Sequence, residues 1–213
     1  LPASTPPSLS PRKKPRQARA AVTLDAVYEA SIQLLVSGGV ARLTTTRVAE
    51  RAGVSVGTMY QYFPHKQALI YALNERYLEA LAIRLETVCE GHHGSRLGDM
   101  CEALIGTYFQ AKTERADVTR ALYASVVELD NAALIANFAD RADACTKAML
   151  SSASDATIPD LETVNLALLT TIFGAVRNAF ERNLDADEIA ALKRQVIVMC
   201  RAYLSAVAGA PKG

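Results

Sequence analysis

From Leu24 to Val207 the apolar side chains return every three or four residues, and over no useful length do they alternate with period two. That spacing draws one stripe along a helix and cannot line one face of a strand. The pattern is cut at "SGG" (Ser37–Gly39), at Gly53, at Pro64, at "GHHG" (Gly91–Gly94), at Asp130-Asn131, in the polar "SSASDATIP" stretch and at "NLD" before Ala186. These cuts predict one helix from Thr23 to the SGG break and two short ones after Thr44 and Ser55. A long helix follows from Pro64 to about Glu90, then others over roughly 96–114, 117–129, 131–153, 160–182 and 186–208. Asp185 with Glu188 reads as a capping box for the last. The expected fold class is all-α, with about nine helices and no internal repeat.

Half of the 213 residues are hydrophobic, enough for a sizeable core, yet no run of 18 or more apolar residues reads as a bilayer span. The opening "LPASTPPSLSPRKKPRQARA" lacks the apolar region of a secretory signal and has too little to bury, so residues 1–20 are expected to be a disordered basic arm. Cys89, Cys101, Cys145 and Cys200 have no CxxC spacing and sit in helical apolar patterns. They read as reduced core residues, which makes the cytoplasm the expected location and a membrane no expected partner. Residues 1–66 carry nine Lys/Arg against three acids, and the remainder 14 against 19. A basic front on an acidic body points to a polyanion, the alternative being a solvated tail.

The stretch "TTTRVAERAGVSVGTMYQYFPHK", Thr44–Lys66, fits two short helices and a turn. Gly53 stands where the first must end left-handed. Val48, Ala52, Val54 and Met59 are expected to point inward toward Leu34 and Leu35, with the small Ala49 at the helix crossing. That is helix-turn-helix packing, which offers the second helix to a DNA major groove. Ser55, Val56, Gly57, Thr58 and Gln61 would then meet base edges or adjoin them, Gln61 suiting adenine and Val56 or Thr58 a thymine methyl. Thr44, Thr46, Tyr60 and Tyr62 have hydroxyls for phosphate oxygens, and Lys66 a cation at the start of the next helix. Each of these also has a plain structural reading as cap, packing residue or helix stop. Their co-occurrence in one register beside a basic arm favours the DNA reading.

The same segment resembles the amino-terminal domain of the TetR family of bacterial transcriptional regulators, with the approximate signature T-T-x-x-x-A-x-x-A-G-V-S-x-G-T-x-Y-x-Y-F-x-x-K. The chain supplies Thr45, Thr46, "RAGVSVGTMYQYF" and Lys66. His65 departs from the usual small polar cap and Gln67 from the frequent Glu, which leaves the capping of the following helix open. The resemblance covers about residues 20–70. It implies phosphate contacts from Thr44, Tyr60, Tyr62 and Lys66. Base contacts would come from residues 56–58, Gln61 and Thr46 or Arg47, on a palindromic double-stranded operator held by a homodimer. The arm Arg12–Arg19 either adds contacts or hangs loose. The implied domains are a helix-turn-helix DNA-binding domain over 21–66 and a ligand-sensing and dimerisation domain over 67–213.

Two apolar stripes suit dimerisation: Leu161, Val164, Leu168, Ile172 and Ala175 in one helix, Ile189, Leu192, Val196, Met199 and Tyr203 in the next. The same stripes fit the chain's own core; the family arrangement favours the dimer. A pocket for a small, mostly apolar ligand is expected among Met100, Leu104, Tyr108, Tyr123, Val127, Phe138, Met149, Leu169 and Phe173, with Arg177 and Glu128 as polar anchors. No catalytic residues, cofactor or metal site is expected. His92-His93 with Glu90 reads as a solvated loop, and no P-loop, nucleophile elbow or dinucleotide fingerprint is present. The alternative function on the same fold is an architectural or partner-binding DNA-associated protein without a small-molecule inducer.

Overall fold

The computed structural model describes residues 18–125 and 130–210. Its helices are α1 (Ala18–Arg42), α2 (Thr45–Ala52), α3 (Val56–Tyr62), α4 (Lys66–Gly91), α5 (Leu97–Thr113), α6 (Ala116–Ser125), α7 (Ala132–Ser151), α8 (Leu161–Glu181) and α9 (Ala186–Val207). Among the described residues the only β pairing is an isolated antiparallel bridge between Thr157 and Gly209. The expected all-α class holds. Most of the basic arm, with Arg12, lies outside the described residues, although α1 already includes Ala18–Ala20. The SGG signal produces a break inside α1 at Gly39 (φ 65°), a left-handed conformation that glycine adopts without a Cβ clash.

The chain divides into two units. The first comprises residues up to Glu79 with Arg115–Asn137; the second comprises Ala80–Glu114 and Phe138–Gly213. This division differs from the expected boundary at residue 66. The first half of α4 and all of α6 belong with the helix-turn-helix, because Leu69, Ile70, Leu73, Val118 and Leu122 share a core with Leu24, Val27, Leu35, Val48 and Met59. Polar ties follow the same grouping. Asn74 Nδ2 donates to Ile70 O (2.9 Å) and Ser125 Oγ (3.3 Å), and the Tyr77 and Thr119 hydroxyls meet at 2.9 Å.

By length and composition alone, Ala20–Arg42 in α1 is apolar enough to cross a membrane, although charged residues interrupt its apolar run. Here Leu24, Val27, Ala30 and Leu35 supply the first unit's core while Asp25 and Glu29 are exposed or half-exposed, as in a core helix of a globular unit.

In the second unit α5 and α9 run antiparallel. Arg201 reaches Glu102 (3.2 Å) and a guanidinium nitrogen stands 3.0 Å from where a Cβ on Gly98 would be. Asp160 Oδ1 accepts from Thr163 N (3.2 Å) to cap α8, and α9 carries the expected box between Asp185 and Glu188. The stripes expected at a dimer surface divide between the inside and the outside of this unit. Val164, Leu168, Ile172, Ile189 and Val196 are buried in this unit's own core, with Leu161, Ala175, Leu192 and Tyr203 outside the fully buried set. Of the expected stripes only Met199 is a largely exposed hydrophobic (60%), and it shares the outer surface with Leu166 (65%) and Val198 (60%).

Candidate nucleic-acid interface

Local chemistry sets the helix-turn-helix. Thr44 Oγ1 accepts from Arg47 N (3.2 Å) at the start of α2. The α2 end is a Schellman arrangement: Gly53 is left-handed (φ 69°, ψ 28°), its N–H bonds Glu50 O (3.3 Å), and Val54 N bonds Ala49 O (3.0 Å). Ser55 Oγ accepts from Thr58 N (2.9 Å) and lies 2.8 Å from Thr58 Oγ1, which caps α3. Beneath, Val48, Ala49, Met59 and Phe63 are fully buried, and Ala52 and Val54 pack against the same cluster. Tyr28 meets Phe63 edge-on with centroids 6.0 Å apart.

With Met59 and Tyr62 inward, α3 turns Val56, Gly57, Tyr60 and Gln61 outward, beside the exposed Ser55; Thr58 is half-buried under its cap. Thr44, Thr46 and Arg47 are exposed on α2 and its approach, and Arg47 Nη1 bonds Arg42 O (3.4 Å). Tyr60 is 44% exposed, and its hydroxyl accepts from Thr45 Oγ1 (3.4 Å), which joins the two helices. Tyr62 is buried, with its ring tilted 6.4 Å from that of Phe63, so its ring packs in the core. Lys66 is half-buried, and its Nζ donates to Val40 O (3.4 Å). The cap of α4, left open by the sequence, is filled by His65, whose Nδ1 accepts from Ala68 N (3.1 Å).

In the second unit Tyr108 and Phe138 flank Phe173 with centroids 4.5 and 5.5 Å away, and Met100, Leu104, Met149 and Leu169 are buried. Tyr123 belongs to the first unit, and the side chains of Val127 and Glu128 lie outside the described residues. Arg177 is exposed and paired with Glu181 one turn along α8 (2.8 Å), so it is no buried anchor. Among the described residues the buried cation is Lys112, which sequence reasoning missed. It is 2% exposed, its Nζ lies 5.5 Å from the Tyr108 ring centre, and burial lowers its pKa to about 7. A legible signal existed: Lys112 continues the stripe Met100, Leu104, Tyr108 at four-residue steps. On the outer side of α8 and α9 a groove of about 230 Å3 is lined by Ala167, Leu168, Thr171, Met199, Cys200 and Tyr203. Among the described residues no cluster of three metal-ligating side chains occurs.

A short capped helix held outward over a packed helix-turn-helix, on a chain with a larger helical body, defines a DNA-binding transcriptional regulator. The chain belongs to the tetR family of bacterial regulatory proteins: residues 27–73 match that family's model, and residues 96–204 match the tetracyclin repressor-like C-terminal domain. Regulators of that family are DNA-binding transcription factors rather than enzymes. Among similar curated proteins, nucleoid occlusion factor SlmA of Haemophilus ducreyi is 32% identical over 118 residues, 54% of this chain and 57% of that protein. The HTH-type transcriptional regulator EthR of Mycobacterium tuberculosis is 27% identical over 131 residues, 61% of each. The chain thus spans under two thirds of these relatives. Among solved structures, Bacillus subtilis FadR in complex with stearoyl-CoA shares the fold at TM-score 0.68 and 16% identity, over 84% of this chain and 98% of that one. SmeT, the repressor of a Stenotrophomonas maltophilia efflux pump, does so at TM-score 0.65 and 19% identity, over 87% and 90%.

Proposed function

We propose that this chain is a cytoplasmic, ligand-released repressor that binds a palindromic operator as a homodimer. The observation that carries the reading is the outward face of α3: Ser55, Val56, Gly57, Tyr60 and Gln61 stand exposed over a buried Met59 and Tyr62. Val56 and Gln61 read base edges; Thr44, Thr46, Arg47 and Tyr60 hold phosphates. One helix this short contacts only a few base pairs, so a useful specificity ratio needs two half-sites and two chains. The outer face of α8 and α9, with Leu166, Val198 and Met199, is the surface for the second copy: exposed apolar side chains there gain by leaving water.

The ligand is proposed to lodge by the Tyr108–Phe173–Phe138 cluster, with Lys112 favouring an amphiphile that has an acidic or carbonyl group. It releases DNA only through unequal affinity for two arrangements of the body. The SlmA relatives support a second reading, a DNA-associated protein that acts through a partner and has no inducer.

Selection of bound duplexes from a random pool tests the main reading. A palindrome enriched in a salt-sensitive manner is expected; enrichment of no sequence overturns it. A screen of apolar acids for release of that duplex then separates the readings, since the second expects no compound to act.

A further inference from the structure

The second unit brings two helices together in a register that aligns cysteines. The α4 and α7 helices run parallel there. Arg141 donates through Nε and Nη2 to the two carboxylate oxygens of Glu86 at 2.7 Å each, a separation of 55 residues along the chain. Cys89 Sγ meets Thr146 Oγ1 at 4.0 Å, a separation of 57, and Gly94 N donates to Ser152 Oγ at 3.0 Å, a separation of 58. Cys145, whose thiol donates to Ala142 O (3.3 Å), therefore stands opposite Cys89, one turn beyond the Glu86–Arg141 rung, close enough for each thiol to shift the other's ionisation.

We propose that Cys89 and Cys145 form a reversible thiol–disulfide pair, with Cys145 the thiol that reacts with hydrogen peroxide or an organic hydroperoxide and Cys89 the thiol that resolves it. Three observations select these roles. Cys145 is the one partly exposed cysteine, whereas Cys89, Cys101 and Cys200 are 1%, 0% and 3% exposed. The neighbouring Cys89 thiol lowers the Cys145 pKa, while that contact and burial push Cys89 up, so the accessible sulfur is the easier of the two to ionise. The Glu86 carboxylate, which would oppose that charge, is held by Arg141.

The Cys145 thiolate attacks one peroxide oxygen. The O–O bond breaks, two electrons pass from sulfur to oxygen, and the departing hydroxide (or alkoxide) takes up a proton, leaving Cys145 as sulfenic acid. The Cys89 sulfur then attacks the Cys145 sulfur, its proton leaves with the hydroxyl as water, and the disulfide forms. Two molecules of an external thiol reverse the change by exchange. Closure brings the two sulfurs to a separation of about 2.05 Å. The site stands independently of the proposed ligand.

The test treats the reduced full chain with hydrogen peroxide, blocks remaining thiols by alkylation, and maps peptides without reductant. The expected product is a Cys89–Cys145 link within one chain, undone by dithiothreitol, with Cys101 and Cys200 still thiols. In Cys89→Ser, dimedone labelling of Cys145 rises severalfold over the unsubstituted chain; in Cys145→Ser, Cys89 stays a thiol at the same dose. A link between chains, Cys145 oxidised past sulfenic acid with no link, or Cys89 oxidised without Cys145 each overturns the proposal. The mapping of the unsubstituted chain decides the matter even where a variant folds poorly.

Discussion

Gln61 lies exposed on the outward face of α3, whereas Lys66 is half-buried at the start of α4, and the two should fail differently. Replacing Gln61 with Ala removes a base-edge hydrogen bond, so discrimination at one operator position should fall by about 1–3 kcal/mol while other positions hold. Competition binding with single-base operator variants measures this. Lys66→Ala should weaken all sequences alike and reduce the salt slope by about 1 for each phosphate the chain no longer neutralises. Lys112 gives a pH signature. Its folded pKa of about 7 lies below the free value of 10.5, so between those limits the unfolded chain binds the extra proton. Stability from this group therefore rises with pH across that window, and the full penalty applies below about pH 7. Lys112→Met should be more stable near neutrality, by an amount on the order of a few kcal/mol that shrinks toward pH 10. Urea midpoints of the two chains across that range test the sign.

At the scale of elements, turn chemistry was the most legible part of the sequence. Gly53, Ser55, Thr44 and the Asp185–Glu188 box each announce a geometry that backbone hydrogen bonds require locally, and each takes that geometry. Gly53→Ala forces a Cβ into a left-handed residue and should cost about 1–2 kcal/mol, with Gly53→Asn milder; thermal midpoints of the three chains check this. Which side of α8 and α9 faces out was not legible. A helix packed on its own bundle and one packed on a second copy show the same three-and-four spacing, so Val164, Ile172 and Val196 suited both. The burial of the Tyr62 ring was not legible for a related reason: a tyrosine at a helix end suits either surface or core, and its packing on Phe63 shows only in space. His65 was legible as a departure but not as a solution, because an imidazole acceptor caps α4 only with its ring turned to Ala68 N.

For the whole molecule, Met199 offers the direct probe of assembly. Met199→Arg leaves the buried core untouched and should shift the chain toward monomer in sedimentation velocity, with operator affinity falling about 100-fold or more as the two half-sites cease to be engaged together. An unchanged dimer would point to another face. The division into units has a consequence for how the protein is made. The core that seats α1 is completed by Val118 and Leu122 of α6, which come from a later stretch of chain. At ribosomal rates of roughly 5–20 residues per second, α1 emerges about 4–15 seconds before α6 arrives. Throughout that interval the nascent reading head has an unsealed oily flank, so a message truncated after α4 would yield a fragment for holdases and proteases rather than a small independent DNA binder.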